Sequence, residues 1–475
     1  MKVYHSFQEI RSDLSAGKVT CKDLVSHYLE NIENNKHLNV FVEVYKAEAL
    51  QQAELIDAKI KSGKAGKLAG MVIGLKDVLC HKGHGLQASS KILDKFISQF
   101  NGTAVQRILD EDAIVIGRQS CDEFAMGSSN ENSAFGPVLN AADNTRVPGG
   151  SSGASAVAVQ ADLCLASLGS DTGGSVRQPA AFCGTVGLKP SYSRISRYGL
   201  ISYASSFDCI GILSKNVEDA ALLLETIAGA DEYDSTVSNK PVPEYSQLLT
   251  FNGKARIGYL KESIESPGVN DEIKNATKGL IASLQKDGHS VEAFEFNLLD
   301  YILPAYYILT TAEASSNLGR YDGVKYGYRS TNITDLESMY KKTRSEGFGK
   351  EVKKRIMLGT FVLSASYYDA YYTKAQKVRR LIKEQTEKLF EKYDFILMPT
   401  TTTTAFKLGE HSNDPLSMYL ADLFTVQANL CGIPGISLPY GKDKEGMPIG
   451  IQLLSKSFDE SRLLAFSQHI FKNLN

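Results

Sequence analysis

The sequence predicts an α/β protein: a single large domain built on a mixed, mostly parallel central β-sheet, with helices covering both faces. Three observations carry this expectation. Short apolar runs that end in glycine alternate with stretches of helical periodicity, the grammar of β-α-β units and so of a buried sheet. The alternation continues to the end of the chain. No internal repeat or low-complexity segment interrupts it, so one continuous sheet is expected across the 475 residues. That length exceeds the size at which one core normally stops growing, although α/β enzymes often run long as one unit.

Taken in order, Ser6-Phe7-Gln8-Glu9 and Thr20-Cys21-Lys22-Asp23 each set a capping hydroxyl three residues before an acid and open a helix. A third helix runs from Ala47 to Ile60 and ends in the Gly/Lys turn of residues 61–66. Residues 1–62 therefore read as a helical layer packed on a larger unit, 63–475. The boundary is drawn where the texture changes to Met71–Leu75 and Ile114–Gly117, two apolar runs flanking the helix Thr103–Leu109. The pattern recurs in helix Val217–Ala228, helix Asp271–Asp287 before strand Ser290–Phe294, and helix Thr373–Lys392 before strand Phe395–Met398. It closes with strands Gly435–Leu438 and Gly450–Leu454 and a last helix, Asp459–Phe471.

Composition narrows the function. The chain is 43% hydrophobic and 22% charged, ordinary for a globular protein with a sizeable core. A formal net charge of -2, with signs alternating along the chain, supplies no field to recruit nucleic acid or membrane. The dense charges of Lys341–Arg355 read as a solvated helix face. Seven scattered cysteines (Cys21, Cys80, Cys121, Cys164, Cys183, Cys209, Cys431) contain no metal-ligand spacing, so no bound metal is expected and a reducing, cytoplasmic setting is. His81 and His84 have no acidic or cysteine neighbour in sequence and read as loop histidines. No signal peptide and no membrane-spanning run is recognisable.

Residues 145–190 carry the chemistry. They pack glycine and serine around one apolar strand, Leu163–Leu168, as a site built from main-chain N–H donors would require. A phosphate loop is excluded, because neither Gly149–Gly153 nor Gly169–Ser175 carries its lysine. Gly149-Gly150-Ser151-Ser152-Gly153 matches the spacing of a nucleophile elbow, but a polar, turn-like segment precedes it and His289, His411 and His469 offer no suitable base. The reading that remains is a serine nucleophile activated by lysine.

Here the motifs resemble the amidase signature family. Gly74-Leu75-Lys76-Asp77, Gly149 to Gly153, Gly169 to Ala180, and Gly187-Leu188-Lys189-Pro190 occur in the order and spacing of that family. The resemblance implies the amidase signature fold with its core at about residues 70–230, Ser175 as nucleophile, Ser151 as a bridging serine on a cis peptide bond, and Lys76 as base. It also implies an oxyanion hole from the main-chain N–H groups of Thr172, Gly173, Gly174 and Ser175. Physical chemistry agrees: serine attacks only when a neighbour takes its proton, and burial after the apolar Met71–Leu75 run would neutralise Lys76 for that task. Ala154 stands where the family usually has glycine, a change expected to matter only at positive φ.

Longer stretches, Met126–Ser133, Glu313–Gly323, Phe348–Thr360 and Tyr367–Tyr372, are similar to the A subunits of aminoacyl-tRNA amidotransferases, a branch of the same family. This similarity implies glutamine as substrate, with Arg355 and Asp422 holding its α-carboxylate and α-amino group and Ser128 beside them. A zwitterion needs one charge of each sign, and the guanidinium fork suits a carboxylate. It further implies no cofactor in this chain, and a heterotrimer with B and C subunits, in which B uses ATP and Mg2+ to convert Glu-tRNA(Gln), or Asp-tRNA(Asn), with ammonia delivered from here. The alternatives are a stand-alone amidase acting on small amides and a binding module without activity.

Overall fold

A computed structural model describes residues 1–411 and 421–473. Among these, eleven strands form one sheet: β1 (Phe41–Val44), β2 (Val72–Lys76), β3 (Ile114–Gln119), β4 (Ala166–Asp171), β5 (Val186–Lys189), β6 (Cys209–Ser214), β7 (Arg256–Leu260), β8 (Ser290–Phe294), β9 (Phe395–Pro399), β10 (Gly435–Lys442) and β11 (Pro448–Leu454). Their order is β1-β3-β2-β4-β6-β5-β10-β11-β9-β7-β8. The mixed α/β sheet is as expected, but its balance of directions is not. Parallel pairing is confined to β3-β2-β4 and β9-β7-β8, while the six strands from β4 to β9 in that order pair antiparallel throughout. One of these pairs follows directly from its connection. β10 and β11 are joined by a tight turn closed by Asp443 and Met447, and such a hairpin can only pair antiparallel.

The N-terminal helices form where their caps predict. Ser6 accepts from Glu9 N at the start of α1 (Phe7–Ser15), and Thr20 and Asp23 complete a reciprocal capping box on α2 (Cys21–Asn34). Their apolar faces are buried: Phe7, Ile10, Leu24 and Tyr28 belong to the same core cluster as the sheet residues Ile73, Ile116, Leu168 and Leu453. α2 packs on α3 (Lys46–Lys61), which in turn lies on β3.

The strand expected over Leu163–Leu168 begins and ends later, as β4. Polarity stopped the sequence reading at Gly169-Ser170-Asp171. The backbone continues as strand because those side chains are fully used: Ser167 accepts from Gln119, Ser170 contacts Lys76, and Asp171 pairs with Arg177. β2 and β4 run parallel with Gly74 opposite Ser167, so their C-terminal ends open on the same edge of the sheet. Ligands of α/β sheets bind beyond such carboxyl ends. No described helix is long and apolar enough to cross a membrane.

Candidate active site

Lys76 ends β2 and is fully buried. Its Nζ lies 2.7 Å from Ser151 Oγ, 2.9 Å from Ser152 Oγ and 2.9 Å from Ser170 Oγ. No carboxylate among the described residues contacts the amine, so desolvation dominates: burial pulls its pKa down to about 8, with Cys121, Asp122 and Asp171 opposing at longer range. A substantial fraction of the amine is then neutral in mildly alkaline solution. The hydroxyls differ in what they can do for it. Ser152 Oγ donates to Ser170 O at 3.1 Å, which leaves it only an acceptor toward Nζ. Ser151 Oγ has no other acceptor among the described residues, so its proton is free to face the amine's lone pair.

The loop ahead of α4 (Gly153–Gln160) presents Ser151 by close approach. The Gly150-Ser151 peptide is cis. A side chain at Gly150 would stand 2.0 Å from Asp122 Oδ2, so only glycine lets this loop lie against that carboxylate. Gly150 N donates to Gln178 Oε1 at 2.8 Å, and Gln178 Nε2 donates to Ser128 O at 2.9 Å. Ala154 sits inside the helix, fully buried and without positive φ, its N–H on Asn130 Oδ1. Nothing there demands glycine.

Ser175 precedes α5 (Arg177–Cys183). Its carbonyl accepts from Ser152 N at 3.1 Å, which docks it against the Ser151 loop. Its hydroxyl makes no hydrogen bond with any described residue, Ser151 included, and the residue is 8% exposed. The expected relay is therefore half assembled: Lys76 to Ser151 is closed, Ser151 to Ser175 is open, as such contacts often are before substrate tightens them. The loop itself is held by Asp171. One oxygen accepts from Gly174 N at 2.9 Å, the other from Val176 N at 3.2 Å, and Arg177 clamps both. Burial works against this carboxylate, but the Arg177 charge and hydrogen bonds, with Lys189 and Asn429 behind, hold it well below the usual range. One consequence corrects the expected oxyanion hole. The Gly174 N–H is committed to Asp171, which leaves those of Thr172, Gly173 and Ser175 without a protein acceptor among the described residues.

Farther out, Asp422 is 7% exposed and accepts from Ser128 Oγ at 2.9 Å and from Tyr307 OH at 3.0 Å. Burial raises its pKa to about 7 despite those bonds and the charge of Arg355. Arg355 is 5% exposed, the one buried charge among the charged side chains of Lys341–Arg355. It donates to Tyr203 OH at 2.9 Å and Glu351 Oε1 at 2.8 Å, and its guanidinium lies over the rings of Tyr203 and Tyr307, 5.6 Å from each centroid. Tyr307 thus stands between the two charges, as a spacer that keeps them from neutralising each other. Asp122, Gln178, Ser170, Tyr203 and Tyr307 escaped the sequence reading. Only Gln178 and Ser170 lie inside the glycine-rich segment, where proximity could have flagged them.

A sequence profile of the amidase family, described simply as Amidase, matches residues 23–464. A curated relative, the A subunit of glutamyl-tRNA(Gln) amidotransferase from Chlorobaculum tepidum, is 49% identical over 471 residues, covering 98% of each chain. Among solved structures, the A subunit of glutamyl-tRNA(Gln) amidotransferase from Thermotoga maritima aligns with a TM-score of 0.78 and 37% identity, over 95% of this chain and 92% of that one. Peptide amidase from Stenotrophomonas maltophilia aligns with a TM-score of 0.82 and 26% identity, over 98% and 96%.

Proposed function

The chain belongs to the amidase family, and from that premise we propose that it is the glutamine-hydrolysing subunit of a glutamyl-tRNA(Gln) amidotransferase. The observation that carries the choice of substrate is the buried pair of opposite charges, Arg355 and Asp422, set apart by Tyr307 close to the serine loops. A free α-amino acid presents a carboxylate and an ammonium to match them, whereas a simple amide presents neither. Full-length similarity to A-subunit relatives points the same way.

The reaction follows from the proton inventory. Neutral Lys76 takes the proton of Ser151, Ser151 takes that of Ser175, and Ser175 Oγ attacks the glutamine carboxamide carbon. The oxyanion so formed is stabilised by the free N–H groups of the Thr172–Ser175 loop, a contribution of about 3–4 kcal/mol per well-placed donor. Collapse breaks the C–N bond as the proton returns through Ser151 to the leaving nitrogen, releasing ammonia and leaving a glutamyl ester on Ser175. Water, activated by the same relay, hydrolyses the ester to glutamate. Ammonia must reach its acceptor before water protonates it, so a sheltered path leads to a partner protein. In this reading the B subunit performs the ATP and Mg2+ chemistry on Glu-tRNA(Gln), with Asp-tRNA(Asn) as a second acceptor, and the C subunit holds the heterotrimer together in the cytoplasm.

The decisive experiment is Ser175→Ala in the reconstituted complex. Glutamine hydrolysis should fall by roughly 10^4-fold or more, while amidation supported by added ammonium salt persists. Hydrolysis within tenfold of the native rate would remove Ser175 from the nucleophile's role.

A further inference from the structure

Away from the serine loops, three side chains from two separate segments of the chain converge at the seam between the N-terminal helices and the sheet. Glu48 lies in the first turn of α3. His81 and His84 lie on the loop that leaves β2 after Lys76. Neither histidine has an acidic neighbour in sequence, but the fold brings one. Glu48 Oε2 stands 2.9 Å from His84 Nε2, and ligand atoms of all three residues fall within 4.8 Å of one another.

The turn that carries the two histidines is fixed in place by its backbone. His84 N donates to His81 O at 3.2 Å across a tight turn, in which Gly83 has a φ of +83°. That turn is pinned by Gly83 N to Ser98 O at 2.8 Å and Ser98 N to His84 O at 2.9 Å. The two rings stack, with centroids 4.2 Å apart and planes inclined by 15°. Tyr45 packs against His84, centroid to centroid 3.9 Å.

An ion pair between Glu48 and His84 would explain two of the three residues. It leaves His81 unexplained. That side chain is 6% exposed, and its Nδ1 is buried with no hydrogen-bond partner among the described residues. Buried polar atoms are rarely left unpaired. A ring nitrogen left without a hydrogen-bond partner is free to offer its lone pair to a metal.

We propose that Glu48, His81 and His84 form a site for a divalent first-row transition ion of the zinc type. Two imidazoles and one carboxylate are the donor set such borderline ions favour over Mg2+ or Ca2+. Three protein ligands leave a fourth position for water, on the side where Glu48 is 41% exposed. Closing the donors onto an ion at about 2.0–2.2 Å requires rotation of the partly exposed Glu48 and His84 side chains toward the buried His81. The bound ion would tie α3 to the loop that begins directly after Lys76, a structural clamp with no part in the acyl chemistry.

The test uses the full chain, stripped with chelator, equilibrated with Zn2+ and desalted, with bound zinc measured directly. About one Zn2+ per chain should remain, and Glu48→Gln and His84→Ala should each weaken binding by roughly 10–100-fold. Cobalt substitution should give visible bands that disappear in His84→Ala. Thermal midpoint should rise with Zn2+ in the native chain and stay put in both variants, which keep glutamine hydrolysis. Absence of stoichiometric zinc in the native chain overturns the proposal. So does equal binding by native chain and variants, which would place the metal outside these three residues.

Discussion

Among the described residues, Lys76 Nζ hydrogen-bonds only to Ser151, Ser152 and Ser170, whereas Arg355 donates to Tyr203 and Glu351 and Asp422 accepts from Ser128 and Tyr307. The first region surrounds a cation with hydroxyls alone and lets burial erode its charge. The second keeps a cation and an anion apart with a tyrosine between them. Proton transfer needs a neutral amine, and recognition of a zwitterion needs two standing charges, so the molecule contains both treatments of charge. The contrast predicts which kinetic parameter each substitution moves.

The largest effect belongs to the hydroxyl-lined region. Lys76→Met should lower kcat for glutamine hydrolysis by roughly 10^4-fold, because no other described base contacts Ser151. Ammonium-supported amidation should continue. In the native chain kcat should climb tenfold per pH unit up to about 8 and level above it, since the base works only when deprotonated and acid returns the proton. A kcat profile without that inflection would detach Lys76 from the chemistry.

At the charged region the burden moves to KM. Arg355→Gln removes one of the two charges, and a hydrogen bond to a charged group is worth about 1.5–3 kcal/mol, so KM for glutamine should rise roughly 10–100-fold with kcat at saturation little changed. An equal fall in kcat would place Arg355 with the reacting atoms instead.

The same contrast explains what could be read from sequence. The serine loops are local: Ser151, Ser170, Ser175 and the glycines around them fall within residues 145–190, and close backbone approach leaves a glycine signature that spacing reveals. The charged region is assembled by folding from the helix Leu299–Asn317, the helix Lys350–Val362, the Ser128 loop and the stretch containing Asp422. Arg355 looked like one more charge on a solvated helix, and nothing local marks Tyr203 or Tyr307; only resemblance pointed to Arg355 and Asp422. Likewise β4 was cut short because polar residues ended the apolar run, when those very residues were the ones satisfied by the site. The parallel strand ends were legible, but the antiparallel centre was not, because pairings such as β4 with β6, β5 with β10 and β9 with β11 join segments that are not consecutive strands, which no local pattern marks.

A smaller effect separates the regions by pH. With its pKa raised to about 7, Asp422 in the free protein becomes neutral below that value and loses its attraction for an ammonium group. KM should therefore increase up to about tenfold per unit as pH falls below 7, in a range where kcat reports Lys76 near 8. Asp422→Asn should flatten the KM profile and leave the kcat inflection in place. If both parameters bend at one pH, a single group governs both regions and the contrast fails.

Ser128 joins the two regions, and its substitution gives the smallest and sharpest test. Its carbonyl accepts from Gln178, which reaches Gly150 beside the bridging serine, while its hydroxyl donates to Asp422. Ser128→Ala keeps the backbone link and deletes only the hydroxyl, one of the hydrogen bonds that hold down the Asp422 pKa. Losing a bond of about 0.5–1.5 kcal/mol should raise KM at neutral pH by roughly 3–10-fold and move its pH inflection upward, because Asp422 then holds its proton more tightly. The kcat profile should not move, since Gln178 and Gly150 keep their partners. A change in kcat without a shift in the KM inflection would show that Ser128 serves the serine loops through its side chain, and that Asp422 depends on Tyr307 alone.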